Sequence, residues 1–190
     1  MTDQLTSPRL AVPRPLLRVG IELNSRGHHP ALRIEIGDRI ESRWFDLAAR
    51  DEDGVSVVRI RATDLADAQR VRASIRAEVD AEGGDPNTVA VLVDVSVLIA
   101  PQARSARSAL IRLDGLLRGP RKNDSLEYIG TPTGLAGLIA DMYAVGVADG
   151  VTVLPLTERT VVEHLVDETL PDLAVRGLVP RTTPSRFPPK

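Results

Sequence analysis

Apolar residues along the chain alternate between two spacings, short continuous runs and stripes recurring every three or four residues, and this predicts strands alternating with helices. Residues 16–23 (LLRVGIEL) read as a short strand, followed by a loop of turn-forming residues, Asn24-Ser25-Arg26-Gly27-His28-His29-Pro30. Residues 38–50 are expected to be helical, with Ile40, Trp44 and Leu47 on one face. Gly54 precedes a second strand over 55–60, and Asp64 is placed to cap a helix over 65–81 with Leu65, Ala68, Val71, Ile75 and Val79 in one stripe. Gly83-Gly84-Asp85-Pro86 stops it. The run 89–99 is apolar except for Asp94 and Ser96, and its β-branched content suits a strand covered by helices on both faces. A helix at about 102–118 then turns Leu110, Leu113 and Leu117 inward, and 119–124 is a polar connection. Thr131 as N-cap with Pro132 at the first helical position opens a helix to about Tyr143, and the last strand is 151–154. A final helix starts near Glu158, buries Val162, Leu165, Val166 and Leu173, breaks at Pro171 and stops at Gly177.

Four strands alternating with helices predict an α/β fold with parallel strands joined by right-handed crossovers. An open sheet of four strands leaves two edges exposed, so a homodimer is the expected way to cover them. The proline-rich ends, 1–15 and 179–190, read as tails around a single domain, 16–178.

Composition then narrows the chemistry. The 190-residue chain has a formal charge of −2, which gives no field to draw it onto nucleic acid or an anionic membrane, and neither partner is expected. The absence of cysteine excludes disulfides, thiolate metal sites and thiol nucleophiles. The start lacks a basic segment followed by an apolar one, and no apolar run approaches the roughly 20 residues of a membrane span. A cytoplasmic location is therefore expected.

The closing third carries Tyr128-Ile129-Gly130-Thr131-Pro132, a helix, Ala148-Asp149-Gly150-Val151, Pro155, and Leu170-Pro171-Asp172-Leu173-Ala174-Val175-Arg176-Gly177-Leu178. In order and spacing this resembles the closing segment of the flavin-dependent luciferase-like monooxygenases, in the branch acting on nitrilotriacetate, dibenzothiophene sulfone and long-chain alkanes. Residues 48–109 and the short segment Glu22-Leu23-Asn24-Ser25-Arg26-Gly27-His28 are similar to that family as well. The resemblance passes from a first strand straight to the last three, so it implies a partial, half TIM-like barrel of about four parallel strands. The family's central strands, with many of its flavin contacts, have no counterpart here. It further implies reduced FMN as cofactor, dioxygen-dependent oxidoreductase chemistry of the monooxygenase kind, and a flavin reductase as a partner. The other reading is a non-catalytic structural or regulatory protein that pairs with itself or with a related oxidoreductase subunit.

By this resemblance Asn24 and Ser25 line the cofactor pocket, and His28 stands where a hydrogen-bond donor or general acid would serve catalysis. The alternative is that His28 and His29 form an exposed polar turn before Pro30. Gly130 and Thr131, at a helix N-terminus, can hold the cofactor's phosphate through backbone N–H groups, or can be capping residues and nothing more. No metal site is expected, because His164 is the only other histidine and no carboxylate cluster completes a ligand spacing. Asp94 and Ser96 either face a barrel-like interior or pair with a neighbour, since neither can be buried without partners.

Overall fold

A computed structural model of the chain describes residues 14–24, 27–29, 34–36, 43–48, 54–116 and 124–180, the two three-residue segments by their backbone alone. Strands β1 (Arg18–Leu23), β4 (Arg43–Asp46), β5 (Ser56–Ile60), β6 (Val89–Ile99), β7 (Leu126–Gly130) and β8 (Gly150–Pro155) form one sheet, and β2 (Gly27–His29) pairs antiparallel with β3 (Ile34–Ile36) in a separate ribbon. The helices are α1 (Leu65–Ala81), α2 (Ala103–Leu116), α3 (Pro132–Ala144), α4 (Glu158–His164) and α5 (Leu170–Val175). No helix among the described residues is long and apolar enough to cross a membrane.

The four expected strands are present and all run parallel. β1 pairs with β8, β8 with β6, and β6 with β5. The eleven-residue β6 serves three neighbours. β8 overlaps β5 at Leu92 and Val93 and overlaps β7 from Val95 to Val97, so β5 and β7 must share the edge opposite β8, end to end. The sheet curls strongly. Arg59 on β5 meets Glu22 on β1 at 2.6 Å although two strands lie between them, a span of about 14 Å across a flat sheet. Parallel strands curled this way, with helices following them, make the fold a half-barrel of the TIM type.

One face of each strand packs under the helices. Val19, Ile21, Leu23, Val91, Val93, Val95, Val97, Ile99, Val151 and Val153 alternate onto it and meet Leu135, Ala136, Ile139 and Met142 of α3 and Val161, Val162, Leu165 and Leu173 of the C-terminal helices. Local chemistry sets the helix ends as the sequence requires. The Asp64 carboxylate accepts from the Asp67 N–H at 2.7 Å, and Thr131 Oγ1 accepts from the Gly134 N–H at 3.2 Å with Pro132 just inside the helix. Gly177 adopts φ +74°, as an αL helix stop does.

Three expectations change. Residues 43–46, placed in a helix over 38–50, form a strand antiparallel to β1, and the rest of that helix lies outside the described residues apart from Leu47 and Ala48. Strand alternation explains it: Phe45 packs against the core, while Trp44 and Asp46 turn to the other face. Residues 27–29, read as loop, are a strand paired with 34–36. The helix break at Pro171 is milder than expected, because a π turn over Leu165–Thr169 widens the helix just ahead of it and α5 starts with Pro171 in its first turn. The stripe on α1 is only partly used, with Ala68 buried, Val71, Ile75 and Val79 half-buried, and Leu65 exposed. Of the α2 stripe, Leu110 and Leu113 are half-buried and Leu117 lies outside the described residues.

Candidate functional site

The strands present their second face to the inside of the curl. By register Arg18, Gly20 and Glu22 of β1, Gly150, Thr152 and Leu154 of β8, Leu92, Asp94 and Ser96 of β6, and Arg59 of β5 alternate onto it. This concave face is mostly polar, and its charges are paired in layers. Arg18 meets Asp46 of β4 at 2.6 Å. Arg59 grips Asp94 through two hydrogen bonds, 3.1 and 3.0 Å, and bridges to Glu22. Arg61 joins Asp94 at 3.4 Å to Asp124 at 3.3 Å, and Ser96 Oγ lies 2.9 Å from Ser125 Oγ. Burial works against the Arg59 charge, yet the hydrogen bonds and charges of Glu22 and Asp94 outweigh it and hold its pKa above the ordinary value. Asp94 and Ser96 thus do both things expected of them, facing the barrel interior and pairing there.

Trp44 completes the concave face. Its indole lies over Gly20, where a Cβ would fall on Nε1, Cε2 and Cζ2, and Nε1 donates to Thr152 Oγ1 at 3.2 Å. Only glycine at position 20 leaves room for the ring to sit against the sheet. Reading Trp44 as a helical core residue missed this role. The alternation within 43–46 was the signal that could have found it.

The carboxyl ends of β1, β8, β6 and β7 lie on one side of the sheet, the side on which parallel α/β folds place their ligands. Asn24, just beyond β1, stands there exposed, and Gly130 ends β7 there with Thr131 just after it. Ser25 lies outside the described residues, and the backbone of His28 belongs to the β2–β3 ribbon, with its side chain outside them. The cradle around Gly130 and Gly134 is filled from within by the Tyr128 hydroxyl, which donates to the Thr131 carbonyl at 3.1 Å. In the exposed first turn of α3 Pro132 has no N–H and the Gly134 N–H is capped, leaving the Thr133 N–H and the Thr131 hydroxyl proton to face an anion. These two donors suit one edge of a phosphate. Among the described residues no group of three His, Asp or Glu side chains could hold a metal ion.

At the opposite, amino-terminal end the buried Asp149 is gripped by Arg72 at 2.8 and 3.1 Å, Arg76 at 3.1 Å and Arg14 at 3.2 Å, and accepts from the Val91 N–H at 3.1 Å. Ala148-Asp149-Gly150 thereby ties α1 and the entry to β1 onto β8. Gly150 is required there, since a Cβ would strike the Arg18 backbone carbonyl.

No protein-family model and no curated protein matches the chain. Solved structures do share its fold. A long-chain alkane monooxygenase is 14% identical with a TM-score of 0.56, over 71% of this chain and 42% of that one. The EDTA monooxygenase of Chelativorans sp. BNC1 is 16% identical with a TM-score of 0.58, over 69% and 44%. A riboflavin lyase, solved with modified FMN and riboflavin, is 16% identical with a TM-score of 0.54, over 66% and 40%. The chain spans about two fifths of the length of each. At these identities the likeness is one of fold alone.

Proposed function

We propose that this chain is a shortened luciferase-like flavoprotein, an oxidoreductase of the monooxygenase type that uses reduced FMN. The reading is carried by one observation: the shared half-barrel brings Asn24 and the Gly130–Thr131 turn to the same, carboxyl end of a parallel sheet. In this reading the Asn24 amide and the Ser25 hydroxyl hydrogen-bond the ring. Thr131 and the first turn of α3 hold the phosphate, and the paired charges of Arg59, Glu22 and Asp94 form a rigid floor that excludes water from below. His28 holds the proton delivered at the reacting oxygen. The bound flavin supplies the two electrons with which dioxygen is divided between substrate and water. The test is an anaerobic titration with reduced FMN, followed by oxygen consumption with an organic electron-rich substrate panel. Saturable one-site binding is expected, with turnover lowered at least tenfold by His28→Ala. A folded protein giving no heat of binding at high flavin concentration would defeat the reading.

A second reading is favoured by the concave face itself, where Glu22, Arg59, Asp94, Arg18 and Asp46 already satisfy one another. In that case the chain is a structural or regulatory protein. It pairs with a second copy or a related oxidoreductase subunit, and solution mass with co-purification replaces turnover as its measure.

A further inference from the structure

The indole of Trp44 is held in a fixed place without being used up by the core. Its sheet side is closed by Gly20 beneath the ring and by Thr152, which is fully buried and accepts the Nε1–H at 3.2 Å. Trp44 itself stays only half-buried, so with its Gly20 and Thr152 contacts made, part of the indole is still uncovered. It stands opposite Glu22 on β1, and the same alternation leads two residues on to the exposed Asn24 at the carboxyl-end rim. On the far side Glu22 is clamped by Arg59. A flat, electron-rich platform therefore lies next to hydrogen-bonding groups on a curved sheet, an arrangement suited to a planar heteroaromatic ligand.

We infer that Trp44 is the stacking wall for the flavin ring, positioning it against the concave face just inside the rim. The inference rests on the flavoprotein reading above, and names the surface on which that ligand lies. Truncating an aromatic side chain on which a planar ring stacks weakens binding by roughly tenfold, and a loss of that order is expected here.

Trp44 is the chain's only tryptophan, so its emission reports on this surface alone. The experiment titrates the full chain with riboflavin and with FMN, following tryptophan emission and calorimetric heat together. Expected are saturable quenching with the same midpoint as the heat for both ligands, about tenfold weaker binding by Trp44→Ala, and near-normal binding by Trp44→Phe, which keeps a ring. Circular dichroism checks that each variant folds. If Trp44→Ala does not fold, Trp44→Leu, which fills the space without a ring, takes its place in the comparison with Trp44→Phe. Heat of binding with unchanged tryptophan emission overturns the stacking wall and leaves the flavoprotein reading standing, as does Trp44→Ala binding as tightly as the unmodified protein. Neither heat nor quenching from a folded protein overturns both.

Discussion

The carboxylate of Asp149 has given up all its exposed surface and regained hydration as hydrogen bonds from Arg14, Arg72, Arg76 and the Val91 N–H. Burial by itself would raise its pKa. The Arg72 hydrogen bonds, the Val91 N–H and the charges of Arg72 and Arg76 outweigh burial, and its pKa is lowered. A carboxyl group with a lower pKa in the folded state than in the unfolded chain stabilises the fold above its unfolded value. That contribution fades as pH drops through the folded value. Asp149→Asn is expected to cost on the order of 3 kcal/mol in urea unfolding at pH 7, because it strands three arginine side chains. The gap between the two proteins is expected to narrow in the acid range, below the ordinary carboxylate value of about 4. Equal unfolding midpoints at pH 7 would show that the arginines find other partners. The residue itself was visible in the sequence only as part of a motif, since nothing in its spacing says which three arginines, 73 to 135 positions away, converge on it.

Among the elements, those with a one-sided chemical signal were legible. β1, β5, β6 and β8 are apolar runs bounded by turn residues, and α1 and α3 begin at side chains whose oxygens have one good use, a helix N-cap. Thr131→Ala removes the bond to the Gly134 N–H and is expected to lower stability by about 1 kcal/mol, measured by chemical denaturation with the helix content of the folded state unchanged. A loss below a few tenths would mean that Pro132 alone fixes the start of α3. The elements that escaped are short and mixed. Around β4 the sequence positions 40, 44 and 47, all apolar, happen to have helical spacing, while the alternation that makes a strand covers only four residues. In β7 Leu126, Tyr128 and Gly130 alternate with Glu127 and Ile129, a strand pattern partly hidden by the stronger helix-start signal behind it. The sequence offered Asn24 and Gly130–Thr131 as candidates at the rim of the proposed site, but it hid the concave face, where Arg59, Glu22 and Asp94 meet only because the sheet curls.

At the scale of the whole molecule, β4 alters the argument for self-association. The open edge of β1, where a complete barrel would add another parallel strand, is covered by an antiparallel one, so fewer free hydrogen-bonding groups remain than four bare strands would show. Among the described residues the outer edges of β5, β7 and β4 have no neighbouring strand, and the proposed homodimer would use them. Light scattering at working concentration is expected to give twice the chain mass, and a monomer there would contradict it. The pairing of β1 with β8 also bears on how the protein is made. It joins residues 18–21 to residues 150–153, so β1 leaves the ribosome well over a hundred residues ahead of its principal neighbour. Strands β5, β6 and β7 with α1 and α2 can assemble during synthesis from neighbours close in sequence, and β1 can pair with β4, whereas the β1–β4 pair joins the rest of the sheet only when β8 emerges. Nascent chains halted before residue 150 would therefore carry an apolar segment, 16–23, with β4 on one edge and its other edge open, and it is there that a chaperone would hold the growing polypeptide.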